Sequence, residues 1–141
     1  RAPAVERLAA ALGVAGEAGP TLVAVFQPGD CVVFSGLTAA WNALYEDRAL
    51  RVVGVGVRFS DLDRAALDSR PGPVPRFPIR SDLGPLAERA ILDAGHRRTP
   101  VALLLDGLGR SRVLIPPVRG ARRVREIEAL VRRHVELALD E

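Results

Sequence analysis

The 141-residue chain contains no lysine and no methionine, a single cysteine and two histidines. One cysteine excludes an internal disulfide and a cysteine-based zinc site. Two well-separated histidines, with no acidic cluster at ligand spacing, give no reason to expect a metal, and no cofactor is expected either. No apolar run approaches the ~20 residues needed to span a bilayer. Because all 20 basic residues are arginine, the isoelectric point of 10.3 reflects arginine's high pKa rather than a large charge excess. The formal net charge is only +3. Residues 1–118 carry 14 arginines against 12 acids and residues 119–141 carry 6 against 5, so neither part is strongly cationic and nucleic-acid binding is not expected. The chain opens on Arg1 without a methionine. A native start upstream is therefore expected, with room for a signal peptide or a membrane tether.

What is present is a folded composition, 48% hydrophobic and 26% charged, too apolar for a disordered chain. The length suits one domain over residues 1–141. Residues 3–16 place Val5, Leu8, Ala9 and Leu12 on one helical face, predicting an N-terminal helical extension within residues 1–19 that ends near Gly13 or Gly16. Thr21–Phe26 is an uninterrupted apolar run of strand length, the pattern of a strand buried on both faces. Gln27-Pro28-Gly29-Asp30 breaks it, and Cys31 opens a segment in which Phe34, Leu37, Trp41 and Leu44 recur at helical spacing. Arg51–Val57 reads as a second buried strand, and Ser60 with Asp63 reads as a capping box for a helix over 61–68.

Four prolines between Arg70 and Pro78 predict an extended surface connection. A helix resumes near Ser81–Asp82 with Leu83, Leu86, Ala87, Ala90 and Ile91 on its buried face and Gly95 as its terminator. Val101–Leu105, the turn Asp106–Gly109 and Arg110–Ile115 read as a hairpin. After Gly120, a stripe of Val124, Ile127, Val131, Val135 and Ala138 predicts an amphipathic closing helix. Alternating β-α units followed by a hairpin make the class α/β, a sandwich around a mixed sheet.

Cys31 is the reactive side chain in a distinctive place, where a strand hands over to a helix. Unpaired N–H groups and the helix dipole favour a thiolate there; the apolar Val32 and Val33 that follow act in the other direction, as around a buried cysteine that behaves as a small hydrophobe. Asp30 either tunes the thiol or caps the helix, and capping is the expected role. Trp41 and Tyr45 are read as core, with a substrate-facing aromatic edge as the other reading. His96, Arg97 and Arg98 are either a solvated helix end or a recognition site for an anionic group. His134 reads as a surface residue, Arg119–Arg125 as a solvated face, and the Asp106–Gly109 glycines as a turn rather than a phosphate loop.

The strand Thr21–Phe26, the turn before Cys31, the strand Arg51–Val57, the Phe77-Pro78 step, Asp82 before a helix, and Thr99-Pro100 leading into Val101–Leu105 together resemble the thioredoxin-like superfamily. The closest branch is the redoxin group, which includes the extracytoplasmic thiol-disulfide oxidoreductases and, further off, the peroxiredoxins. The resemblance spans roughly residues 20–135. It implies a three-layer α/β sandwich with a C-terminal β-hairpin and a closing helix. It implies further that Cys31 matches the first, attacking cysteine of a Cys-x-x-Cys motif, and that Thr99-Pro100 matches the pair containing the family's cis-proline, which shapes the substrate site.

Phe34 stands where the resolving cysteine belongs. A complete dithiol cycle is thereby excluded unless another molecule supplies the second thiol. The resemblance leaves monothiol thiol-disulfide exchange at Cys31 with a protein or low-molecular-weight thiol or disulfide, with Asp30, Phe34 and Arg97 as supporting residues. The alternative is a catalytically degenerate member serving as a binding or scaffold module. A one-cysteine peroxidase is a minor reading, because peroxiredoxins place their reactive cysteine where Phe34 stands. An extracytoplasmic setting, periplasmic or membrane-tethered, follows from the branch; the oligomeric state is not legible.

Overall fold

The computed structural model describes residues 3–14, 19–48, 50–116 and 124–140, with side chains described throughout except at 31–36 and 124. Its elements in chain order are α1 (Ala4–Ala11), β1 (Thr21–Phe26), a 3-10 turn (Pro28–Asp30), α2 (Cys31–Glu46), β2 (Arg51–Gly56), α3 (Asp61–Asp68), β3 (Ile79–Arg80), α4 (Gly84–Asp93), β4 (Val101–Leu105), β5 (Ser111–Ile115) and α5 (Val124–Leu139). The strands form one five-stranded sheet in the order β3-β2-β1-β4-β5. β1, β2 and β3 run parallel, and β4 lies antiparallel to both β1 and β5. This is the expected mixed sheet with a terminal hairpin.

The central strands read as continuous apolar runs because both of their faces are covered. All residues of β1 and β4 are buried. Alternate residues go to opposite sides. Leu22 and Phe26 of β1, Val52 of β2 and Leu104 of β4 pack with Leu37, Trp41 and Leu44 of α2, Leu67 of α3 and Ile127 and Val131 of α5. Val23, Val25, Val53, Val55, Leu103 and Leu105 pack with Leu8 of α1 and Ala87, Ala90 and Ile91 of α4. Helices thus cover both faces of the sheet, completing the three layers. Each fully buried aliphatic side chain stabilises the fold by about 1.5–3 kcal/mol.

Two expectations need correction. The connection over 70–78 is not simply a surface segment: Pro75 and Phe77 are buried, and the Phe77 ring lies edge-on to Tyr45 at 6.5 Å. Its backbone is held by the buried Asn42 of α2, whose Nδ2 donates to the Val74 carbonyl at 3.0 Å and whose Oδ1 accepts from the Arg76 N–H at 2.8 Å. The connection also ends in a strand not anticipated, β3, whose Ile79 pairs with Gly54. A two-residue strand between prolines carries no period to read. The helix expected from Ser81–Asp82 starts later, at Gly84. A Cβ at Gly84 would lie 2.8 Å from the Gly56 carbonyl oxygen, so glycine lets α4 start directly on the end of β2. Leu83 and Ile91 are buried as expected.

Asn42→Ala would leave the Val74 carbonyl and the Arg76 N–H without their partner. It is expected to cost about 1–3 kcal/mol in chemical denaturation; a change within experimental error would mean water replaces both bonds. At the β4–β5 turn, Asp106 accepts from the Leu108 and Arg110 N–H groups at 2.9 and 3.0 Å and from Arg110 Nε at 2.9 Å. Burial alone would raise its pKa, but these donors outweigh burial and hold the carboxyl below its ordinary range. Its stabilisation is therefore present above the unfolded value near ~3.9 and lost as pH falls through the lower folded value. Asp106→Asn should be less stable than the parent at neutral pH by about 1 kcal/mol. Denaturation curves recorded against pH should show that gap closing as the solution is acidified below about pH 4.

Candidate functional site

β1 ends at Phe26, and the chain turns at once. The Asp30 N–H donates to the Gln27 carbonyl at 2.9 Å, and the Gln27 N–H donates to Asp30 Oδ2 at 2.9 Å. The turn is closed twice, and it delivers the backbone of Cys31 as the first residue of α2. The expected capping by Asp30 is not observed: it occupies the N-cap position, yet its side chain makes no capping hydrogen bond to α2. Capping needs an extended backbone, and Asp30 is helical (φ −89°, ψ 0°) because the 3-10 turn runs straight into the helix. Its carboxylate therefore points back to Gln27. The side chains of Cys31 and Phe34 lie outside the described ones.

The second part of the site arrives through strand pairing. Val101 of β4 is in register with Val25 of β1. The Thr99-Pro100 pair just before it therefore stands at the end of the sheet where β1 hands over to the Cys31 turn. That peptide bond is cis. Pro100 is buried, Thr99 is half-buried, and the Thr99 hydroxyl is buried without a hydrogen-bond partner. Ahead of it, α4 closes with Gly95 at φ +83°. Gly95 and His96 donate their N–H groups to Leu92 and Ile91 carbonyls, both at 2.9 Å, a Schellman closure. Arg97 and Arg98 follow, both exposed.

A residue that sequence reasoning missed joins them. Arg58 lies just past β2 with a positive φ of 50°. Its guanidinium reaches Gln27 Oε1 at 3.3 Å and Glu88 Oε2 at 2.8 Å. It links the Cys31 turn to α4. No motif marks it; the signal available was its position at the carboxyl end of a parallel strand, where such folds place their sites. Other sequence candidates lie elsewhere. Trp41 is core and 4% exposed. Tyr45, expected in the core, is instead exposed, because it is on the last turns of α2, away from Cys31, where only one side of its ring packs on Phe77. His134 is exposed, its Nδ1 within 3.1 Å of the Leu130 carbonyl. Of the Arg119–Arg125 run, residues 119–123 lie outside the described ones. Among the described residues, no three His, Cys, Asp or Glu side chains converge on a metal position.

A cavity of about 430 Å³ between α1 and Leu108–Ser111 is remote from this site. Leu105, which leads into that turn, pairs with Thr21 at the opposite end of β1.

No protein-family model matches the chain, and no curated protein matches it in sequence. Solved structures do resemble it. A protein assigned as the thiol:disulfide interchange protein DsbE of Chlorobium tepidum superposes with a TM-score of 0.59 at 18% identity, covering 91% of this chain and 84% of that one. DsbF of Mycobacterium tuberculosis gives 0.55 at 17% identity, covering 81% and 79%. The thioredoxin domain of a thiol-disulfide oxidoreductase from Bacteroides vulgatus gives 0.52 at 15% identity, covering 88% and 83%.

Replacing Asp30 with alanine should remove the acceptor of the Gln27 N–H and cost about 1 kcal/mol. Amide hydrogen exchange is expected to accelerate at Gln27 and not in the first turn of α2. The reverse pattern would restore Asp30 as a helix cap.

Proposed function

We propose that this thioredoxin-like chain, a relative in fold of the redoxin-branch thiol-disulfide oxidoreductases, carries out monothiol exchange at Cys31. The observation that supports this most is the β1–β4 register, which brings Thr99-Pro100 to the end of the sheet where Cys31 opens α2. Because the Asp30 side chain does not cap α2, it leaves the leading N–H groups to stabilise negative charge at the helix start. The Cys31 thiolate attacks one sulfur of a disulfide, forming a mixed disulfide and releasing the other half as a thiolate. With phenylalanine at position 34, the second step falls to an external thiol. That thiolate attacks the substrate's sulfur, a new disulfide leaves, and Cys31 returns as thiolate. Thr99 and Pro100 shape the substrate site, Asp30 and Arg58 hold the turn, and Arg97 borders it. The substrate is a protein or low-molecular-weight disulfide. An extracytoplasmic location accompanies this reading through the branch it resembles; no helix among the described residues is long and apolar enough to cross a membrane.

The second reading is a binding module that has kept the fold without the chemistry. It is favoured by Phe34 itself and by the apolar Val32 and Val33 after Cys31.

Alkylation of the native protein across pH separates the two. Monothiol exchange predicts that Cys31 reacts rapidly well below the ordinary thiol pKa of ~8.5, and that Cys31→Ser abolishes exchange with a disulfide substrate. Modification only on unfolding, or exchange that survives Cys31→Ser, would remove the monothiol reading and favour the binding module.

A further inference from the structure

Arg97 and Arg98 are exposed, and neither makes an ion pair or hydrogen bond with another described residue. Several arginines elsewhere are paired, Arg58 with Glu88, Arg80 with Asp82, Arg89 with Asp93 and Arg110 with Asp106, while Arg48, Arg70, Arg125 and Arg133 pair with no described carboxylate, so it is their place in the fold that sets Arg97 and Arg98 apart. The ordinary task of cations just past a helix end is to satisfy its last carbonyls and its dipole. Here the Gly95 and His96 N–H groups already bond the Leu92 and Ile91 carbonyls. Three carboxylates of the neighbouring elements are each bonded to another group. Asp30 is bonded to the Gln27 N–H, Glu88 is held by Arg58, and Asp93 by Arg89.

Two further observations place the pair beside the candidate site. Arg98 is three residues ahead of Val101, which is in register with Val25 near the end of β1. Even a fully extended backbone keeps it within about 11 Å of that point, and an arginine side chain adds reach. Between them stands Thr99, whose hydroxyl is buried with no partner. Two uncommitted guanidiniums and an uncommitted hydroxyl on consecutive residues match a carboxylate, which accepts up to four hydrogen bonds and pairs with the planar guanidinium fork.

We infer that Arg97, Arg98 and Thr99 form a subsite for a carboxylate carried next to the disulfide of the substrate, so that the protein selects anionic disulfides. The inference rests on the monothiol reading of Cys31. Two sources share this chemistry, a glutathione-type disulfide and a cystinyl peptide with acidic flanks.

The test is the rate at which Cys31 of the intact protein reacts with two aromatic disulfides, dithiobis(nitrobenzoate), which carries carboxylates, and dithiodipyridine, which is neutral. Arg97→Gln/Arg98→Gln should slow the anionic probe by roughly tenfold at low salt, an effect that shrinks as salt is raised. The rate with the neutral probe should fall much less, and Arg97→Lys/Arg98→Lys should restore most of the preference. Equal slowing of both probes, or of neither, overturns the subsite while leaving Cys31 a reactive thiol. Reaction with neither probe until the protein unfolds removes the monothiol reading and the subsite with it. Glutathione disulfide, and a cystinyl peptide with glutamate or glutamine flanks, then assign the source. The natural class is the one whose rate falls in the double variant; a fall with neither counts against the subsite.

Discussion

The antiparallel pairing of β1 with β4 is the constraint on which the site depends. Five residue pairs, from Thr21↔Leu105 to Val25↔Val101, lock the two most buried strands of the sheet together. Because side chains alternate with a period of two, a slip of one residue would turn Leu103 and Leu105 away from the α1/α4 side and Leu104 away from the α2/α5 side. Both faces of β4 are fully packed, so the register has no slack. One consequence is mechanical: the segment before Val101 must emerge where β1 ends. Chain connectivity then adds the short closed turn over 27–30, so α2 opens at the same end of the sheet at which the segment before Val101 emerges.

The parallel half of the sheet follows from the same core. β1 and β2 are joined through α2, and β2 and β3 through α3, so the carboxyl ends of both longer parallel strands point to one edge. Phe26 closes that edge, its ring edge-on to Phe59 at 5.1 Å, and the Val57 N–H donates to the Phe26 carbonyl at 2.8 Å. Arg58 emerges directly after this contact. Its reach to Gln27 and Glu88 ties three elements at the edge that carries the cysteine. With the Arg58 side chain 66% exposed, this link contributes little to global stability. It bears on the alignment of the turn instead.

How much of this was legible depends on where the determining force is local. Thr21–Phe26 and Val101–Leu105 could be read as strands because burial on both faces leaves an unbroken apolar run. The Ser60–Asp63 box was legible because both of its hydrogen bonds lie within four consecutive residues. Asp30 was misread for the same reason in reverse: a carboxylate before a helix looks like a cap, and only the backbone angles of the preceding 3-10 turn redirect it. β3 follows a connection that Asn42 of α2 holds from a distance, which the proline pattern over 70–78 does not announce. Arg58 acquires its partners only through the fold. The cis bond at Thr99-Pro100 was legible through the resemblance, whereas the uncommitted state of Arg97 and Arg98 required knowing that the Gly95 and His96 amides already bond carbonyls at the end of α4.

On the monothiol reading proposed above, phenylalanine at position 34 in place of a second cysteine changes what the rest of the site must accomplish. In a dithiol cycle the neighbouring thiol is tethered close to the mixed disulfide, and its effective concentration far exceeds that of any free thiol. Without it, the lifetime of the mixed disulfide is set by encounter with an external thiolate. Selectivity then rests on what is bound beside the sulfur, since both the incoming disulfide and the releasing thiol must approach the same edge of the sheet. Unpaired positive charge at that edge would then act on both encounters, because a carboxylate-bearing disulfide and a thiolate are alike drawn toward it. Arg58 and Glu88 offset one another as an ion pair, so on that reading it is the unpaired Arg97 and Arg98 that would set the electrostatics of the approach.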